Sequence, residues 1–214
     1  MTNFRKALVV SLLFTVAVCA QQNFPSVSNG SFISHHDPKI DLTIRGFKYV
    51  GSFDFTIPNI AKGKRYVYVD ADRQKRVSRM FIIQAETIIP ESNEIYRYSF
   101  ANAERLGAHL FRHNTFAFSN AEGRRENPNG EGPLTVDFLA KKGFSLSDEW
   151  MASRFVAVPD PAKKSEIILF YMERVDRTGN SVTNFYNGQD PTPVWQKIAA
   201  DLNSRSRKAF VVKS

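Results

Sequence analysis

Apolar and polar residues alternate over residues 46–57. Phe47, Tyr49, Gly51, Phe53, Phe55 and Ile57 fall on one side, Lys48, Ser52, Asp54 and Thr56 on the other, and Val50 is out of step. A period of two with one apolar side marks a strand buried on one face. Pro58, which has no N–H to give to a ladder, ends it. Residues 64–69 alternate again, with Tyr66 and Tyr68 opposite Val67 and Val69. Over 77–89 the pattern changes. Met80, Phe81, Ile82 and Ile83 put apolar groups on both faces, as a strand inside a sheet requires.

Residues 91–108 fit a strand or a helical turn, and 110–118 return to strand composition. Residues 119–133 carry Asn, Gly, Glu and Arg with almost no apolar side chain, which predicts a solvated loop long enough to suggest a function. A short helix follows over 134–142, with Gly143 placed to end it. Two more strands are expected at 154–158 and 167–175. The clearest helix comes last. Thr192 suits its N-cap and Pro193 its first position, and Trp195, Ile198, Ala199 and Leu202 form one apolar stripe. Gln196, Lys197, Asp201 and Arg205 take the wet side. This order predicts an α+β fold, a curved, mainly antiparallel sheet packed by the C-terminal amphipathic helix, in a single domain over 42–214. Residues 21–41, rich in Gln, Asn and Ser, show no period and read as an irregular leader arm.

The start of the chain has its own pattern. Arg5 and Lys6 precede an apolar run over 7–18, and Val18-Cys19-Ala20 resembles a peptidase site. This layout predicts a cleaved signal peptide over 1–20 and a secreted or periplasmic protein. The apolar run is too short for a comfortable membrane span, so no transmembrane protein is expected once the signal is removed. The rival reading is lipidation at Cys19, which Val16 and Ala17 fit and Val18 does not. Cleavage after Ala20 removes the only cysteine.

Composition narrows the chemistry. The 214 residues are 43% hydrophobic and 23% charged, which excludes a disordered chain and a multi-span membrane protein. One Cys and four His exclude a thiolate zinc cluster and a disulfide scaffold. Neither a glycine-rich phosphate loop nor a nucleophile elbow is present, so no cofactor is expected. His109 and His113 are four apart, with Glu104 upstream as a third donor for a metal. His35, His36 and Asp37 form a second small group. Neither group has a spacing that selects a metal. A histidine base could pair with Asp137 or Glu149, though nothing in the spacing chooses between them.

The tyrosines carry a further hint. Tyr49, Tyr66, Tyr68, Tyr96 and Tyr98 lie in strand-like runs with Arg79. A ring with an apolar body and a polar tip suits the wall of a ligand cup, and it suits the rim of an aromatic core equally well. The net charge of +8 comes partly from clusters at 73–79, 124–125 and 205–208, which would fit an anionic surface. Acidic residues are interspersed throughout and no reading element is visible, so nucleic acid is not an expected partner. Three functions are compatible with these features. The first is an exported, noncatalytic protein that binds a small apolar or amphipathic ligand in a sheet-and-helix cup. The second is a structural or interaction protein of the cell envelope. The third is a hydrolase of an unrecognised class using His109 or His113.

Overall fold

The computed structural model describes residues 25–35, 39–158 and 161–213. The export signal, the lipidation reading at Cys19, and His36 and Asp37 lie outside the described residues. The chain first makes three short strands, β1 (Ser26–Val27), β2 (Ser31–Ser34) and β3 (Ile40–Ile44). It then makes three long ones, β4 (Lys48–Ile57), β5 (Ala61–Ala71) and β6 (Val77–Ile88). An irregular stretch leads to β7 (Glu104–Leu106) and β8 (His109–Ser119), followed by helices α1 (Asn120–Glu126) and α2 (Glu131–Lys141). Strands β9 (Glu149–Ala157) and β10 (Ser165–Arg174) and a 3₁₀ turn at Val175–Thr178 come next. The chain ends with the small ribbon β11 (Tyr186–Asn187) and β12 (Asp190–Pro191), helix α3 (Pro193–Ala209) and strand β13 (Phe210–Val212).

The strands form two main antiparallel sheets, which corrects the expectation of one curved sheet. The large sheet runs β4-β5-β6-β10-β9-β8-β7 and the small one β1-β2-β3-β13. Among the described residues both are open, each with an edge strand at either end, and neither curls round to close. Gly46, at φ +78, lets the chain turn out of β3 and into β4 of the other sheet. The small sheet uses part of the segment read as an irregular arm. Ile40, Leu42 and Ile44 are buried there while Asp41 and Thr43 are not, an alternation only five residues long. The sequence boundary at 41/42 therefore falls inside β3.

The large sheet is apolar on both faces. One face packs against the small sheet and α3. There Phe32, Leu42, Tyr66, Tyr68, Phe81, Phe155, Trp195 and Leu202 share one cluster. The other face packs against α2, with Val67, Ile82, Leu139, Trp150 and Ala152 at its centre. The C-terminal helix is as its sequence predicts. Thr192 caps it, accepting from the Trp195 N–H at 3.3 Å, and Pro193 opens it. It lies against β9 and β8 of the large sheet.

Two departures from the sequence pattern have local causes. The alternation over 46–57 breaks at a bulge, where the β4–β5 register jumps from Tyr49 to Gly51. Phe47 and Tyr49 therefore face the small sheet, whereas Val50 and Phe53 face α2. Gly51 sits at φ +137 and has the Phe138 ring against it, which suits a residue without a Cβ. The second departure is at 119–133, where most of the expected loop is helix. Ser119 caps α1 through the Glu122 N–H, and Arg124 ties α1 to Asp137 of α2 at 2.7 Å. No residue of α1 is buried, so no apolar period announces it.

Candidate functional site

The six residues proposed from the sequence do not converge. Tyr49, Tyr66, Tyr68 and Arg79 lie on the small-sheet face of the large sheet. Tyr66 packs edge-on to Phe32, with ring centroids 4.8 Å apart, and the Tyr68 hydroxyl donates to the Ser31 carbonyl at 3.2 Å. Burial raises both phenols, Tyr66 to about 12, so both stay neutral between the sheets. Arg79 donates to Asp70 at 2.9 Å and lies over the Phe47 ring. Tyr96 and Tyr98 lie on the opposite face. Tyr96 donates to Glu86, which shares the α2 face with Arg65 and Gln84 by the two-residue period of the strands.

The histidines are separated too. His109 Nε2 meets the Lys39 carbonyl at 2.6 Å. His113 Nε2 meets Ser153 Oγ at 2.8 Å, and Ser153 donates on to Ser206 at 3.0 Å. Ser153 is fully buried, so its hydroxyl has no route to a substrate. Burial holds the His113 imidazole below its usual range, and the Arg207 charge adds to this. Asp137 is engaged by Arg124, and Glu149 accepts from the Val182 N–H at 3.2 Å. Neither carboxylate hydrogen-bonds a histidine among the described residues. No group of three His, Cys, Asp or Glu is placed to hold a metal among them either.

Two other places gather chemistry. The first is a surface cleft of about 670 Å³ between α3 and the 3₁₀ turn after β10. Val194 and Ile198 give it an apolar wall above the buried Met151, and Arg177, Lys197 and Arg205 bring positive charge to it. Arg205 is exposed, as its helical position predicts, but its guanidinium reaches back to the sheet. It grips the buried Glu173 with two hydrogen bonds, at 2.8 and 3.0 Å. Glu173 also accepts from the Tyr171 hydroxyl, whose pKa rises to about 12, first through burial and then through this bond. Asp201 also lines the cleft. No ion pair among the described residues engages Arg177 or Lys197.

The second place is a buried polar belt on the α2 face. Arg65 is 8% exposed, and it donates to Gln84, to Thr135 Oγ1 at 2.8 Å and to the Glu131 carbonyl at 2.8 Å. Desolvation lowers its guanidinium to about 10, so it stays a cation at neutral pH. Gln84 donates in turn to Glu86. Glu166 stands directly opposite Glu86 in the β6–β10 register. The sequence holds one trace of this belt: Gln84 and Glu86 are two apart within an apolar strand run. Their partners on β5, β10 and α2 are distant in the chain and leave no such trace. No family model, curated protein or solved structure matches the chain.

Among the described residues no helix is long and apolar enough to cross a membrane.

Proposed function

We propose that the protein is an exported, noncatalytic binding protein that holds a small amphipathic anion in the cleft beside α3. The observation that carries this reading is the cleft's make-up. Apolar Val194 and Ile198, over the buried Met151, stand next to Arg177 and Lys197 in a space of about 670 Å³. That volume lies in the usual range for small-ligand sites. An aliphatic tail would lie on the apolar wall and an acid group would meet the cations. Export rests on the signal pattern at the start of the chain. The histidines support no hydrolytic reading, since His113 is paired with a buried serine and His109 with a backbone carbonyl.

Decanoate is a suitable probe. Burying its roughly eight methylenes at about 0.8 kcal/mol each gives about 6 kcal/mol. A charge-assisted contact to the acid group adds to this, and immobilisation subtracts. A dissociation constant of about 10–100 μM follows. Calorimetry should show decanoate binding and decyltrimethylammonium failing to bind at the same concentration. Val194→Asp, at a site 46% exposed, should weaken decanoate at least tenfold without unfolding the protein. Equal binding of the cationic probe, or unchanged binding to Val194→Asp, would overturn the assignment.

A further inference from the structure

Residues 89–103 join β6 to β7 without regular secondary structure. β6 is third in the large sheet and β7 is last, so this strap has to pass β10, β9 and β8. Its backbone is lightly tied. The Tyr96 N–H donates to the Lys163 carbonyl at 2.9 Å, and Lys164 Nζ donates to the Ser92 and Glu94 carbonyls at 2.9 and 2.7 Å. Two tyrosines fasten it to the sheet. The Tyr96 hydroxyl donates to Glu86 Oε2 at 3.2 Å, and the Tyr98 hydroxyl lies beside the Glu166 carboxyl. The two rings stack in parallel with centroids 6.5 Å apart.

The two acceptors are an unusual pair. Glu86 and Glu166 are 4% and 2% exposed and face each other across two hydrogen-bonded strands. Their carboxyls lie on the same face of adjacent strands, close enough for the charge of each to oppose the other. Two ionised carboxylates can only accept, so a direct contact between them needs a proton on one. Glu166 Oε2 has no hydrogen-bond partner among the described residues. The charged groups around the pair are Arg65 from β5, Glu131 from α2, Arg154 from β9 and Arg112 from β8, which lies over the Tyr98 ring. Arg65 and Arg154 are also engaged elsewhere, Arg65 with Gln84 and Thr135 and Arg154 with Asn114 at 3.0 Å.

We propose that Glu86 and Glu166 form a proton-operated latch: sharing one proton they fasten the strap through Tyr96 and Tyr98, and loss of that proton to water releases it. With both carboxylates ionised no bond can form between them and two like charges face each other in a dry site. Moving the strap is the low-cost relief, because few backbone bonds hold it, while the strands beneath keep theirs. Release would admit water to the belt at Arg65 and Gln84. Burial, followed by the charge of Glu86, pushes the Glu166 carboxyl up to about 7, and burial raises Glu86 as well. The latch therefore works in a mild pH range. It lies on the face of the large sheet opposite the α3 cleft and does not depend on ligand binding there.

Hydrogen exchange at pH 5.5 and pH 8.5, corrected for intrinsic rates, tests the latch. In the wild-type chain, amides of residues 91–103 should lose at least tenfold protection at the higher pH while those of β10 and α3 keep theirs. Glu166→Gln puts a neutral group in place of the acid and should keep the strap protected at pH 8.5. Tyr98→Phe removes one fastening and should lower protection already at pH 5.5. Equal strap protection at the two pH values would overturn the proposal, as would a loss in Glu166→Gln equal to that of the wild type. Loss in β10 and α3 together with the strap would also overturn it, since that is global unfolding.

Discussion

Glu166 pairs in register with Glu86, and almost no solvent reaches the pair to spread its charge. A buried acid whose pKa rises on folding costs stability when it must ionise. In the unfolded chain Glu166 titrates near 4.5, and in the fold near 7. Below about 4.5 both states hold the proton and there is no penalty. Between these values the unfolded chain has lost a proton that the folded one keeps, so stability falls as pH rises. Above about 7 the full penalty remains, at most about 3 kcal/mol for a shift of this size. Glu166→Gln should therefore melt several degrees above wild type at pH 8 and close to it at pH 4.5. Thermal unfolding followed by circular dichroism at the two pH values checks this, and a variant less stable than wild type at pH 8 would contradict it. Little at this scale is legible in the sequence. Tyr96 and Tyr98 resemble Tyr66 and Tyr68 in composition, but the chain carries them to the opposite face of the sheet. Glu86 and Glu166 are eighty residues apart in number and adjacent only through the β6–β10 pairing.

α3 and α1 differ in how they are held, and this decides which of them the sequence reveals. The stripe of Trp195, Ile198, Ala199 and Leu202 is periodic because it is packed, and Thr192 and Pro193 mark its start. α1 is held by its Ser119 cap, by Asp148 accepting from the Ala121 N–H at 2.7 Å, and by the Arg124–Asp137 pair. Polar contacts of that kind leave no hydrophobic period, so its segment reads as a loop. β1, β2 and β3 are too short for their alternation to stand out, and the bulge at Val50 reverses the face of the rest of β4. The packing of α3 gives a graded prediction. Trp195 is 4% exposed and Leu202 is fully buried, so truncating either to Ala should cost about 2–5 kcal/mol. Arg205→Ala strands the buried Glu173 carboxylate and should cost about 1–3 kcal/mol. Lys197→Ala should cost less than about 0.5 kcal/mol. Urea unfolding of the four variants gives the order directly. Arg205→Ala equal to Lys197→Ala would mean that the Glu173 pair contributes nothing to the fold.

The whole molecule is built around a sheet with a core on each face, and each core holds one of the two tryptophans. Trp150 lies in the α2-side cluster, with its Nε1 donating to the Ser147 carbonyl at 2.8 Å. Trp195 lies in the cluster shared with the small sheet, against Phe185 at 5.0 Å between ring centroids. Neighbouring residues of one strand feed both cores. Tyr66 and Tyr68 of β5 point to one and Val67 and Val69 to the other, and β6, β9 and β10 do the same. Neither core can lose its sheet face without unravelling strands that the other also needs. The two should therefore unfold in one transition, as single domains usually do. In Trp150→Phe the remaining indole reports on the α3 side, and in Trp195→Phe it reports on the α2 side. Within each variant, urea unfolding followed by tryptophan fluorescence should coincide with unfolding followed by circular dichroism. Comparing two probes inside one variant removes the effect of the substitution on the midpoint itself. If the Trp150 signal in Trp195→Phe moved at lower urea than the circular dichroism, the α2 layer would come away first. The sheet would then be stable with one face bare, and the tight coupling of the two cores through shared strands would be wrong.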